Sequence, residues 1–252
     1  LFPYTTLFRS PCLSGLQQMC DEVQPTIMGH HGGFAERVRA HWLWVAPIPD
    51  GLDAADAGPL LCGGVTVFSP FLTFDVKPTH RVGVVGIGGL GHLALKFARA
   101  WGCEVTAFTS SESKREEALQ LGAHRVVSSV DAQSMKSIAG QLDLVIVTVN
   151  VMLNWKALMG TLGPNGRLHV VGVLSEPMSV NGLQLIDGQR SVSGSPTGSR
   201  PDIDKMLAFA ARHGIKPQTE HFPMSRINDA LDHLRAGKAR YRVVLDADFA
   251  SA

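Results

Sequence analysis

At 252 residues the chain has room for one large domain or two smaller ones, and a hydrophobic fraction of 45% is enough for a real core. A formal net charge of +1 argues against nucleic acid or an anionic membrane as the main partner. No apolar run reads as long enough to span a bilayer, nothing resembles a secretory signal, and 4 cysteines are too few and scattered for a disulfide scaffold. A reducing cytoplasm is therefore the expected setting.

Residues 1–10, LFPYTTLFRS, look like one reading frame of a common sequencing-library adapter and are set aside from fold reasoning. On that reading the natural protein begins upstream of Pro11 and the chain is a fragment. Residues 11–20 are short, with Cys12 and Cys20 at either end. Between 21 and 50 the runs GGFAERVRA and WLWVAPIPD read as short strands broken by glycine and proline, the tail of a small β-rich domain. Residues 53–72 are apolar and helical in character, interrupted by Gly63-Gly64.

The organising stretch follows. A β-branched run at 82–85 leads at once into Gly86-Ile87-Gly88-Gly89-Leu90-Gly91, and behind it Leu90, Ala94, Phe97, Ala98 and Trp101 recur at helical spacing up to a C-capping Gly102. A dinucleotide pyrophosphate needs this strand, turn and helix: Gly86 for the tight turn, Gly88 for close approach of backbone to phosphate, Gly91 for helix–strand packing. A second strand at 104–108 completes a βαβ unit.

Regular alternation continues. A helix at 111–121 with N-capping serines precedes a strand at 124–128, a helix at 132–139, and the continuous apolar strand 143–149, as expected for burial on both faces. Then come a helix at 152–162, a strand at 167–173 and a shorter edge strand at 190–194. Six strands with crossover helices predict an α/β fold, a doubly wound six-stranded parallel sheet. Past it, helices at 201–213 and 225–236 and a strand at 240–246 read as a return to the β-rich domain. The expected division is 11–52 and 200–252 for that domain and 53–199 for the nucleotide-binding one.

The acidic residue that holds an adenine ribose normally lies about 20 residues past the glycines. Here that place reads Phe108-Thr109-Ser110-Ser111-Glu112-Ser113-Lys114-Arg115. Hydroxyls followed by cations suit a 2′-phosphate, so NADPH is favoured over NADH, with Glu112 the one acid that blurs the preference. A short-chain dehydrogenase is excluded, because its Tyr-x-x-x-Lys pair is missing: Tyr4 lies in the leader and Leu245 stands four past Tyr241.

The motifs PLLCGGVTVFSP, RVGVVGIGGLGHLALKFARAWGCEVTAFTSSESKREEAL and KARYRVVLD together resemble the zinc-type medium-chain alcohol dehydrogenases, within them the cinnamyl-alcohol-dehydrogenase branch and its bacterial NADPH-dependent broad-range aldehyde reductases. The resemblance implies a Rossmann domain beside a GroES-like catalytic domain. It implies that Cys62 is one protein ligand of a catalytic zinc, and that Cys12 and Cys20 are two of four cysteines on a structural zinc. Thr66 matches a position near the nicotinamide; Thr109, Ser110 and Lys114 match 2′-phosphate contacts. Thr148-Val149 and Gly172-Val173 match the strand ends lining ribose and carboxamide, and Arg242 a residue reaching the pyrophosphate. Cys103 matches no ligand, and His30-His31 read as a solvated loop. The implied activity is hydride transfer between NADPH and a small aldehyde or primary alcohol, with a homodimer allowed by the edge strand. The other zinc ligands and the proton relay would lie upstream, so this chain by itself is expected to be inactive. A zinc-free quinone reductase or a non-catalytic NADPH-binding module is the alternative.

Overall fold

The computed structural model describes residues 10–249, which leaves the adapter-like leader, Ser10 excepted, outside the described residues. Its chain forms two compact units, one made of the residues up to Val65 with those from Thr197 onward, the other of Thr66–Pro196.

The second unit holds the sheet. Its strands are β1 (Arg81–Val85), β2 (Glu104–Thr109), β3 (Arg125–Ser128), β4 (Leu142–Val147), β5 (Leu162–Val170) and β6 (Ser191–Gly194). They are ordered β3-β2-β1-β4-β5-β6 and every pairing is parallel. All but the first residue of β1 and of β2 is buried, which is why, past Arg81 and Glu104, these strands carry apolar residues, a glycine and buried threonines and no exposed polar face. The continuous run predicted at 143–149 is β4, ending two residues sooner. β5 begins earlier than expected, at Leu162, because Leu162 pairs with Leu142 before the ladder resumes at Leu144–Arg167, with the GPNG residues between bulging at a register shift. As the sequence suggested, β6 is an edge.

Flanking helices lie between the strands. The helical residues Thr66–Thr73 meet the helix Gly91–Trp101 through edge-on Phe68–Phe97 and Phe68–Trp101 contacts, with centroids 5.2 and 5.6 Å apart. Gly102, at φ +100°, ends that helix as predicted. Arg115–Gln120, Ala132–Ser137, Trp155–Thr161 and Gly182–Ile186 follow. The predicted 111–121 helix opens as a 3-10 turn over Glu112–Lys114, and no serine side chain caps it: the Ser111 hydroxyl pairs with that of Ser113 at 2.7 Å instead. The helix expected from 152 starts at Trp155, where the Asn154 side chain accepts from Ala157 N–H.

In the first unit the strands predicted between 21 and 50 do not form. That segment carries only the 3-10 turn Trp42–Trp44, with Ile27, Phe34 and Trp42 at 75%, 67% and 73% exposure. A strand needs a partner for its N–H and C=O groups, and none of the described strands pairs with it. The helix Ala54–Pro59, capped by Asp53, runs into a π-helical turn, Leu60–Gly64. Contrary to expectation, one apolar run does reach bilayer length: Ala54–Thr73 spans 20 residues at mean hydropathy 1.2, yet 61% of its most apolar stretch is buried within the protein, as in a core helix. Later, the helix Arg200–His213 is opened by a capping box of Ser199 and Asp202 and closed by Gly214 at φ +63°. A strand that the sequence hid, β7 (Thr219–Pro223), pairs parallel with β8 (Arg242–Asp246), and the helix Ile227–Arg235 connects them.

Candidate functional site

In this strand order the chain direction of the crossovers reverses between β1 and β4, and the crevice beyond the strand ends at such a point is where α/β sheets bind ligands. The glycine turn follows β1 and Thr148-Val149 follow β4, so two of the predicted segments meet there.

Each glycine of the turn has its own reason. Gly86 sits at φ +91°, and a Cβ there would collide with Val149. A Cβ on Gly91 would run into the Gly86 carbonyl, so only glycine lets helix and strand pack this closely. A Cβ on Gly88 would meet no protein atom within 4 Å. Gly88 is therefore not demanded by the protein's own packing; the empty space beside it is where a phosphate would fit.

The walls are built from the neighbouring strand ends. The Thr148 hydroxyl donates to the Val85 and Gly86 carbonyls at 2.9 and 3.2 Å. Past β5, the Val171 and Gly172 N–H groups both donate to the Val147 carbonyl, and a Cβ on Gly172 would stand 2.5 Å from the Val149 carbonyl oxygen. Val173 is 86% exposed. Thr66 is buried.

At the end of β2, Thr109 is buried and its Oγ1 accepts from Ser111 N–H at 3.1 Å, while Ser110 is exposed. Lys114 reaches back across the site, its Nζ donating to the Ile87 carbonyl of the glycine turn at 3.0 Å. Of the residues that the resemblance matched to the 2′-phosphate, Lys114 therefore touches the glycine turn, while Thr109 and Ser110 close the neighbouring strand β2. Glu112 is drawn off by Arg115: the two form an ion pair, and that hydrogen bond holds the Glu112 carboxyl below its ordinary range. Arg115 also donates to the Val126 carbonyl at 3.2 Å, so it belongs to β3 as much as to the site.

One site residue was missed in the sequence. His92, the second residue of the helix after the turn, is 0% exposed and its Nδ1 bonds the Gly88 carbonyl at 3.0 Å. The only hint in the sequence was a polar residue on the inner face of an otherwise apolar helix.

In the other unit Cys62 is exposed on the π-helical turn, a distortion common at functional sites. It lines an open pocket of about 290 Å³ with Gly58, Pro59, Gly63, Arg242, Val243 and Val244. The Arg242 guanidinium lies so close to Gly63 that a Cβ there would collide with it. Burial pushes the Arg242 pKa down, and the Cys62 sulfur pulls it back up. A zinc site does not fit the described residues alone: no three His, Cys, Asp or Glu side chains gather anywhere among them. Cys12 is half-buried and Cys20 buried, His30 and His31 are exposed, and Cys103 is a core thiol whose burial raises its pKa to about 11.

Known proteins similar to this chain point to one family. Residues 89–212 match the zinc-binding dehydrogenase family. The chain is 53% identical to aldehyde reductase AdhA from Synechocystis over 234 residues, covering 93% of this chain and 70% of that relative. A solved cinnamyl alcohol dehydrogenase from Sorghum bicolor superposes with a TM-score of 0.87 at 35% identity, over 98% of this chain and 74% of that one. The cinnamyl alcohol dehydrogenase of Helicobacter pylori, solved in complex with NADP(H), gives 0.83 at 29% identity, over 95% and 71%.

Proposed function

This chain belongs to the zinc-binding dehydrogenase family, and from its likeness to an aldehyde reductase and to cinnamyl alcohol dehydrogenases we propose that it is a hydride-transferring oxidoreductase whose cofactor is NADPH and whose substrate is an aldehyde or primary alcohol. The observation that carries the cofactor choice is the end of β2, where Thr109 and Ser110 stand with Lys114 and the one nearby acid is paired to Arg115. A carboxylate there would repel a 2′-phosphate; an ammonium and hydroxyls attract it.

When bound, NADPH supplies the hydride. The chain's residues bind and orient it. The backbone of Gly86, Ile87, Gly88, Gly89, Leu90 and Gly91, at the start of an 11-residue helix, would cradle the pyrophosphate. Thr148, Val149, Gly172 and Val173 would line the ribose and carboxamide, with Thr66 near the nicotinamide and Arg242 a cation for the phosphates. Cys62 is the thiol that this stretch would offer to the family's catalytic zinc, and Cys12 and Cys20 would serve a structural one, though the described residues complete neither site. The free edge of β6 supports a dimer joined sheet to sheet. In the same reading 11–52 and 200–252 belong to a catalytic domain and 53–199 to the nucleotide domain.

Fluorescence titration with NADPH and NADH tests this. Saturable binding that favours NADPH is expected, and Lys114→Ala should weaken NADPH by about tenfold, the worth of one charge-assisted bond, while changing NADH little. An NADH preference in the unmodified chain would overturn the cofactor assignment.

A further inference from the structure

The carbonyl oxygens from Val85 to Gly88 are each held by a side-chain donor of the same unit. Thr148 holds those of Val85 and Gly86, Lys114 that of Ile87, and His92 that of Gly88. The Gly88 oxygen is held twice by one residue, through the His92 backbone N–H at 3.0 Å and through its ring Nδ1, also at 3.0 Å. The first of these bonds is made by any helix; the second is particular to this side chain. A carbonyl can only accept, so Nδ1 carries the proton and the imidazole tautomer is set by this contact. His92 is completely buried, a costly place for a polar ring unless the bond it makes matters.

A trans peptide points its C=O and N–H in opposite directions. A Gly88 oxygen fixed toward the helix turns the next amide the other way. Were the Gly88–Gly89 peptide to rotate, an oxygen would face incoming phosphate oxygens. Glycine has no Cβ to resist such a rotation, so something outside the turn must. We propose that His92 is a positioning residue for the dinucleotide pyrophosphate: its Nδ1–H locks the Gly88 carbonyl inward so that the turn offers N–H groups and not an oxygen to the phosphates. This rests on the NADPH reading above.

The test compares His92→Leu, which keeps bulk and removes the donor, with His92→Asn, whose Nδ2 occupies the place of the imidazole Nδ1. Each is titrated with NADPH and with adenosine 2′-monophosphate, which lacks the pyrophosphate. His92→Leu should weaken NADPH about tenfold and leave the 2′-monophosphate within about twofold, while His92→Asn stays within about threefold of the unmodified chain for both. Equal loss of both ligands in His92→Leu marks a merely structural ring and overturns the proposal, as does unchanged NADPH affinity. Should His92→Leu fail to fold, His92→Gln replaces it: moving the donor by one methylene must cost NADPH affinity that His92→Asn keeps, or the proposal falls. If the unmodified chain binds no NADPH, the cofactor reading itself fails and takes this one with it; if it binds and only the variants are silent, the role of His92 alone is wrong.

Discussion

Gly88 and Gly91 are one residue type with two different reasons, and substitution separates them. Gly91→Ala would drive a methyl into the Gly86 carbonyl, and overpacking against backbone should cost on the order of 3 kcal/mol, seen as a lowered melting temperature. Gly88→Ala meets open space, so its unfolding free energy should stay within about 0.5 kcal/mol of the unmodified protein while NADPH affinity falls at least tenfold, or about 1.4 kcal/mol. A Gly88→Ala variant that still bound NADPH normally would remove the phosphate from that space. Another residue-scale effect concerns acid. His169, on β5, is 1% exposed and bonded by both ring nitrogens, at 2.9 Å each, to the hydroxyls of Ser193 and Ser195. Burial first, then the Arg167 charge, lowers its pKa from 6.5 to about 4. A lowered histidine pKa means the unfolded chain takes up the proton first, so stability is complete above pH 6.5 and falls as the pH drops toward 4, by about 3 kcal/mol in all. Denaturant melts at pH 7.5 and 4.5 should show this loss, and His169→Gln should flatten it.

Elements were legible where local signals agreed. The helix Gly91–Trp101 has an apolar face and a left-handed glycine at its end, and both could be read from residue types. The helix Arg200–His213 was as clear, and its capping box predicts that Ser199→Ala loses about 1 kcal/mol of stability in chemical denaturation, with Ser199→Thr close to neutral. Elsewhere local signals were misleading. TEHFP has no alternation and ends on proline, yet it is β7, because β8 supplies the ladder and the His221–Asp246 contact at 3.1 Å fastens the two. WLWVAPIPD has the β-branched and aromatic content of a strand, yet it forms none, because none of the described strands pairs with it. Strand propensity describes fitness for a pleated surface, and the partner decides whether that surface exists.

At the scale of the molecule, parallel topology gathers the site. Every strand of the sheet runs the same way, so loops distant in the chain, after β1, β2, β4 and β5, open at one end. The metal is a separate matter. With no three ligand side chains gathered among the described residues, a chelator should leave the melting temperature of this chain unchanged, and metal analysis after dialysis should find well under one zinc per chain; a chelator-sensitive melt would show a site this arrangement does not contain.

The sequence by itself determined the βαβ core, the roles of Gly86 and Gly91, and the residue types at the end of β2, because each rests on backbone conformation or on spacing within one or two elements. Only the tertiary structure decided which cation leans over the turn. Lys114 and Arg115 are adjacent and alike in sequence, and the competing Glu112 carboxylate and Val126 carbonyl take Arg115 while Lys114 reaches Ile87. It also decided that a buried imidazole holds the Gly88 carbonyl. Spacing carries the rise and turn of a helix, but a hydrogen bond also depends on where neighbouring elements place donor and acceptor, and that is settled only when the sheet and its helices pack.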